Sequence, residues 1–114
     1  MDNQTVRCSH ILQKHTGSRN PVSRRDNSQV TRTKAEAIEN IKNITAQANA
    51  TNFADLAEKY SECGSYRNGG DLGDFGPGQM QKPFEDASFA LQVGEMSGIV
   101  DTDSGIHVIL RTGQ

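Results

Sequence analysis

The sequence predicts an α+β domain built on a small, mostly antiparallel sheet. Three features predict it. Apolar, strand-like segments lie near the two ends of the chain, Val6 to Gln13 and Gly105 to Thr112. Helix-like periodicity fills the middle, from about Thr33 to Tyr60 and again after Pro83. The last two strand segments are separated by a connection of hairpin length, which suits antiparallel pairing. The resulting order is β-α-α-β-α-β-β. A chain of 114 residues suits one domain with one core. Residues 1–5 read as a tail and 6–114 as the domain.

Taken in order, the first strand places Val6, Cys8, His10 and Leu12 on one face, because strand side chains have period two. Lys14 to Gln29 is polar and basic and contains Gly17, Asn20 and Pro21. It reads as a long loop, and a loop that long in a compact domain is usually functional or disordered. Thr33 with Glu36 forms a capping-box pattern that starts a helix with Ile38, Ile41, Ile44 and Ala48 facing inward. Asn52 with Asp55 starts a second helix. Its stripe is Phe53, Leu56, Ala57 and Tyr60, spaced as one helical face. The glycine-rich stretch from Gly64 to Met80 reads as turns around one short strand, Asp71 to Phe75. Pro83 fits the first turn of a third helix, with Phe84, Ala87 and Leu91 inward. Ser97 to Val100 and Gly105 to Thr112 complete the sheet.

Hydrophobic residues make up 33% of the chain and aromatics 5%, so the core is small and a large cofactor cavity is not expected. No stretch approaches the ~20 apolar residues of a membrane span. The polar start, Met1-Asp2-Asn3-Gln4, lacks a signal segment. The expectation is an intracellular protein, cytoplasmic with the nucleus as a second compartment, in which Cys8 and Cys63 are reduced. The net charge of -2 hides an asymmetry: Arg7, Lys14, Arg19, Arg24, Arg25, Arg32 and Lys34 face a single acid, Asp26, within that span. A local basic patch on a mildly acidic chain fits a small anionic ligand better than nucleic acid.

Cys8, His10, Cys63 and His107 invite a zinc reading, but they lack the close paired spacing of structural zinc sites. Cys63 with either histidine invites a cysteine-hydrolase reading. Against it, Cys63 falls at the C-terminal end of its predicted helix, where the dipole disfavours a thiolate. The run Gly69 to Gly78 lacks the Gly-Lys-Ser/Thr ending of a phosphate loop. His10 and His107 lie in apolar strands at opposite ends of the chain, and sheet pairing can bring them together. The residues by themselves thus indicate a small α+β domain with a basic loop and a candidate Cys/His cluster.

Several segments resemble the parvulin family of peptidyl-prolyl cis/trans isomerases. They are Val6-Arg7-Cys8-Ser9-His10-Ile11-Leu12, Ser61-Glu62-Cys63, and Gly69-Gly70-Asp71-Leu72-Gly73-Asp74-Phe75. In the C-terminal half they are Phe84 to Leu91, Gly94-Glu95-Met96-Ser97, and Thr102 to Ile109. The resemblance covers Val6 to Thr112. The basic loop and Gln79-Met80-Gln81-Lys82-Pro83-Phe84-Glu85 resemble the branch specific for phospho-Ser/Thr-Pro. In that branch the loop typically has consecutive arginines; here Asn20 follows Arg19, and Arg24 or Arg25 compensates if the loop folds back. The chain has no Trp, so no WW module accompanies the domain and targeting falls to the catalytic site.

The resemblance implies a parvulin-like, FKBP-like superfold: a four-stranded antiparallel sheet surrounded by about four helices. It implies a polar catalytic cluster of Cys63, His10, His107 and Ser104. It also implies a proline pocket of Leu72, Met80 and Phe84, a phosphate site at Lys14 and Arg19, and a backbone contact at Gln81. Rotation about an X-Pro bond breaks no bond, so no cofactor or metal is expected. Partners are expected to be phosphorylated proteins with Ser/Thr-Pro motifs, engaged by a monomer, without nucleic acid or membrane. The competing reading is a non-catalytic phospho-Ser/Thr-Pro binding module or a generic parvulin chaperone.

Overall fold

The structure is a computed structural model that describes residues 5–113. Apart from Thr5, the expected N-terminal tail lies outside the described residues. Four strands, β1 (Val6–Gln13), β2 (Asp71–Phe75), β3 (Val100–Thr102) and β4 (Gly105–Gly113), form one antiparallel sheet in the order β2-β1-β4-β3. Around it lie α1 (Lys34–Gln47), α2 (Phe53–Tyr60), α3 (Lys82–Ala90) and a short 3-10 helix, Gly64–Asn68. The expected fold class and sheet are therefore present. Among the described residues the helices are three α-helices and this one 3-10 turn.

The sheet is covered on both faces, which is why β4 reads as a nearly unbroken apolar run. Ile11, Ile106, Val108 and Leu110 meet Ile41 and Ile44 of α1 and Phe53 and Leu56 of α2. On the other face Val6, Cys8 and Ile109 pack with Phe75, Phe84 and Leu91 beneath α3. The strand face expected for Cys8 and His10 is thus the α3 face.

The capping box at Thr33 forms in full. The Glu36 N–H donates to Thr33 Oγ1, and the Thr33 N–H donates to Glu36 Oε1. The buried face of α1 is Ala37, Ile41 and Ile44, with Ile38 on its flank. Asn52 starts α2 by position only. Its side chain makes no cap bond; it accepts from the Asn49 N–H and donates to the Gln47 carbonyl, tying the end of α1 to the start of α2.

Two expectations shift. The third strand is Val100–Thr102, two to three residues later than expected. Ser97 still bonds β4, through its N–H to the Ile109 carbonyl and its hydroxyl from the Ile109 N–H. That side-chain bond takes the place of a ladder bond, so regular pairing resumes only at Val100. The long basic loop is also ordered: a bridge between Val22 and Gln29 folds residues 21–30 into a small hairpin. Ser23 N–H to Ser28 carbonyl and Val30 N–H to Pro21 carbonyl close it, with Asn27 left-handed at its turn (φ 59).

Candidate active site

His10 and His107 sit on the two central strands. In the β1–β4 register, His10 faces Ile109 and Leu12 faces His107, so the two histidines are diagonal neighbours on the same face. Their rings stack with centroids 5.1 Å apart, and Nδ1 meets Nδ1 at 2.9 Å. Two glycines permit this placement. A Cβ on Gly70 (φ +82) would lie 2.3 Å from the His10 carbonyl oxygen, and the Gly70 carbonyl accepts the His10 N–H. A Cβ on Gly105 (φ +145) would lie 2.8 Å from the Gln13 carbonyl, where β4 turns in against the end of β1.

The histidine pair belongs to a longer chain of hydrogen bonds. His107 Nε2 meets Thr102 Oγ1 at 2.7 Å, and the Thr102 oxygen also accepts the Ser104 N–H. Beyond this chain, His10 Nε2 is buried and has no hydrogen-bond partner of good geometry. Burial, and then the neighbouring His10, push the His107 pKa well below the ordinary histidine value. His107 is therefore neutral near pH 7 and serves as a fixed dipole.

Cys63 lies beside His10 because the preceding residues are stitched to the end of β1. The Leu12 N–H donates to Ser61 Oγ, the Glu62 N–H to the Leu12 carbonyl, and the Lys14 N–H to Glu62 Oε1. The placement of Cys63 corrects the sequence expectation. It is two residues beyond the C-cap of α2 and occupies the N-cap position of the 3-10 helix. Burial alone raises the thiol pKa, but the hydrogen-bonding and charge of His10 and the Ser65 hydroxyl and N–H outweigh it and bring it to about 6. The other thiol, Cys8, is fully buried, and burial raises its pKa.

Next to Cys63 opens a cavity of about 340 Å³ bounded by Lys14, Arg19, Asn20, Arg24, Cys63 and Ser104. Arg19 and Arg24 are exposed. Lys14 is buried, and Nζ donates to the Asn20 and Val22 carbonyls, leaving its third hydrogen free. Burial, followed by the charge of Arg24, lowers the Lys14 pKa. Arg25 is elsewhere. Its guanidinium donates to the Glu58 and Ser61 carbonyls and stacks 4.4 Å from the Tyr66 ring centre.

On the other side of the histidines lies the apolar group. Phe84 is edge-on to both imidazoles, at 5.4 Å from His10 and 5.1 Å from His107. Leu72 and Met80 are half-buried against the same cluster. Phe84 itself is only 4% exposed, so it is the floor of this group and part of the core. Gln81 also departs from its expected part. Its amide accepts the Asp103 N–H and donates to Ser104 Oγ, so it braces the β3–β4 turn.

This pairing of a histidine dyad, an acidic thiol and a cationic cavity coincides with a sequence match. The pattern of the PPIC-type PPIase domain spans residues 1–114. The chain belongs to the PPIC-type peptidyl-prolyl isomerase family. Its relatives include peptidyl-prolyl cis-trans isomerase Pin1 of Digitalis lanata, 50% identical over 99% of this chain and 100% of that protein. Peptidyl-prolyl cis-trans isomerase ESS1 of Saccharomyces cerevisiae is 47% identical over 95% of this chain and 65% of its own length. Among solved structures, the isomerase ESS1 from Candida albicans superposes with a TM-score of 0.89 at 42% identity, covering 96% of this chain and 63% of that one. TbPIN1 superposes with a TM-score of 0.86 at 44% identity, covering 99% and 100%. The protein is a peptidyl-prolyl cis/trans isomerase.

Seen as a PPIC-type isomerase, the domain brings His10, His107, Cys63 and Ser104 to one place, with Lys14 and Arg19 on one side and Leu72, Met80 and Phe84 on the other. Sequence reasoning did not single out Thr102, which orients His107. Its available signal was its place two residues before Ser104 in the Thr102-Asp103-Ser104-Gly105 turn.

Proposed function

We propose that this isomerase acts on prolyl bonds preceded by phosphoserine or phosphothreonine, and that its partners are proteins carrying such motifs. The observation that carries the reading is the cationic cavity beside Cys63. Lys14, Arg19 and Arg24 border it, and none of the three forms an ion pair among the described residues. A phosphate brings about -1.5 to -2 charges and three strong acceptor oxygens, which complement such a group.

With phosphate in that cavity, the proline ring falls on Leu72, Met80 and Phe84, and the bond between them crosses Cys63 and His10. Both ends of the rotating bond are then held, and rotation is confined to the middle. The unaided barrier is ~18–20 kcal/mol and derives from amide resonance, in which the carbonyl oxygen carries negative charge. A thiolate at Cys63, near that oxygen, disfavours the resonance form and hence the planar ground state. The Ser104 hydroxyl and the His10 N–H are donors available to the amide as it twists, and each tenfold gain in rate needs about 1.4 kcal/mol of such differential interaction. No step requires a covalent adduct.

Matched peptides with phospho-Ser, Glu or Ser before Pro test the substrate reading, with exchange followed by NMR line broadening or a coupled protease assay. The phosphopeptide is expected to lead the unmodified peptide by at least about tenfold in kcat/KM, the low end for one charge-assisted contact. Equal turnover of all three would refute it.

A further inference from the structure

We propose that Arg24 is a specificity-determining residue of this site: it forms the second arm of an anion bracket and supplies the positive charge that Asn20 does not. The inference rests on the phosphopeptide reading above and assigns a further residue to it.

The backbones of the two arginines are anchored to different elements. The Arg19 N–H donates to the Asp103 carbonyl at 2.7 Å, which fixes Arg19 to the β3–β4 turn, next to Ser104. The Arg24 N–H donates to the Glu62 carbonyl at 3.0 Å, which fixes Arg24 to the segment just before Cys63. The two arginines thus border the same cavity from different anchors, one on the turn that carries Ser104 and the other on the segment that leads into Cys63. Lys14 lies at its base, between the strand end and the loop it holds through the Asn20 and Val22 carbonyls.

The small hairpin at 21–30 makes this delivery possible. Its tip carries Arg24 and Arg25, and the two have different work. Arg25 spends its guanidinium on carbonyls at the C-terminal end of α2, where the helix dipole favours a cation, and on the Tyr66 ring. That docking presses the tip against α2. The guanidinium of Arg24 makes no hydrogen bond or ion pair among the described residues, although it lies close enough to Lys14 to lower that group's proton affinity. A cation held near another cation, with no counter-charge, is poised for an anion. Asn20 also borders the cavity, but its neutral amide brings no charge, and its carbonyl is already taken by Lys14.

The test compares kcat/KM for phospho-Ser-Pro and Ser-Pro peptides in the unmodified protein and in Arg19→Ala, Arg24→Ala and Arg24→Gln. Arg67→Ala, exposed and outside the cavity, is the control. Each Arg24 variant should lower the phospho/unmodified ratio about tenfold at low ionic strength, because one exposed charge-assisted contact is lost. The loss should shrink in ~1 M salt, where the Debye length is about 3 Å. Asn20→Arg added to Arg24→Ala should recover most of the ratio. An unchanged ratio in both Arg24 variants, with Arg19→Ala still lowering it, would overturn the inference and leave the phosphopeptide reading standing. So would an equal loss on both peptides, or no recovery from Asn20→Arg, since either outcome assigns Arg24 a purely structural role. If the unmodified protein turns over both peptides equally, the phosphopeptide reading itself falls and the bracket falls with it.

Discussion

The acidity of Cys63 offers the sharpest check on the electrostatics of the site. A thiol with a pKa near 6 is ~90% ionised at pH 7, against ~1% for an ordinary thiol near 9. The reaction rate with iodoacetamide does not rise in proportion, because a less basic thiolate is a weaker nucleophile. With a Brønsted slope of 0.4–0.5, a thousandfold gain in acidity lowers the reactivity of each thiolate roughly 20- to 30-fold. The net acceleration at pH 7 is then only a few fold, so the midpoint of the pH–rate curve is the informative quantity. It should fall near 6 for Cys63, monitored by mass spectrometry of the alkylated peptide so that buried Cys8 does not interfere. Burial is the largest influence and acts upward; His10 is the main opposing one. In His10→Ala the midpoint should therefore rise toward the range of an ordinary thiol. Folding stability gives an independent reading. Between pH ~6 and ~9 the unfolded thiol holds a proton that the folded protein has released, so this group's contribution rises with pH and is lost as pH falls through 6. The stability difference between the unmodified protein and Cys63→Ala should grow over that window. A native midpoint of 8.5 or more, or one unmoved in His10→Ala, would refute the proposed coupling.

Five further outcomes follow from the geometry. Met80→Ala should lower kcat/KM on phosphorylated and plain peptides alike, within the ~1.5–3 kcal/mol attached to burying such a side chain, with little change in melting temperature. Phe84→Ala should instead destabilise the fold by roughly 3–5 kcal/mol, and a melt that matches the unmodified protein would show that Phe84 is no core residue. Thr102→Val orphans His107 Nε2, so a loss of ~1–3 kcal/mol in stability and slower exchange are expected, with recovery in Thr102→Ser. Cys63→Asp should retain more exchange activity than Cys63→Ala, because an anion at that position is what disfavours the planar amide; the reverse order, or a trapped thiol adduct, would contradict the mechanism. Gly70→Ala should lower stability by more than the ~1–2 kcal/mol of a left-handed backbone, because the His10 backbone must also move.

How much of this was legible in the chain depended on range. The Thr33–Glu36 box, the Phe53–Tyr60 stripe and the β1 and β2 boundaries are governed by neighbours within a few residues, and their periodicity states them directly. The 3-10 helix Gly64–Asn68 carries no apolar period in its five residues, so nothing local announced it. The third strand slipped because Ser97 uses its hydroxyl in place of a ladder bond, a choice made by β4 rather than by the local sequence.

The site residues divide in the same way. Their identities, His10, Cys63, Ser104 and His107, could be picked out from motifs whose order along the chain is distinctive. Their chemistry could not. The acidity of Cys63 depends on a histidine 53 positions earlier, and the neutrality of His107 on burial between α3 and the sheet. The roles of Gln81 and Phe84 were settled by the β3–β4 turn and the core packing, which spend the amide and bury the ring. Arg24 and Arg25 show the limit most clearly. They are adjacent and chemically identical in the sequence, and only the docking of the hairpin on α2 sends one guanidinium to the helix carbonyls and leaves the other facing the cavity. Charge and hydrophobic period are properties of residues, but proton affinity and ligand access arise from neighbours that only the folded chain brings together.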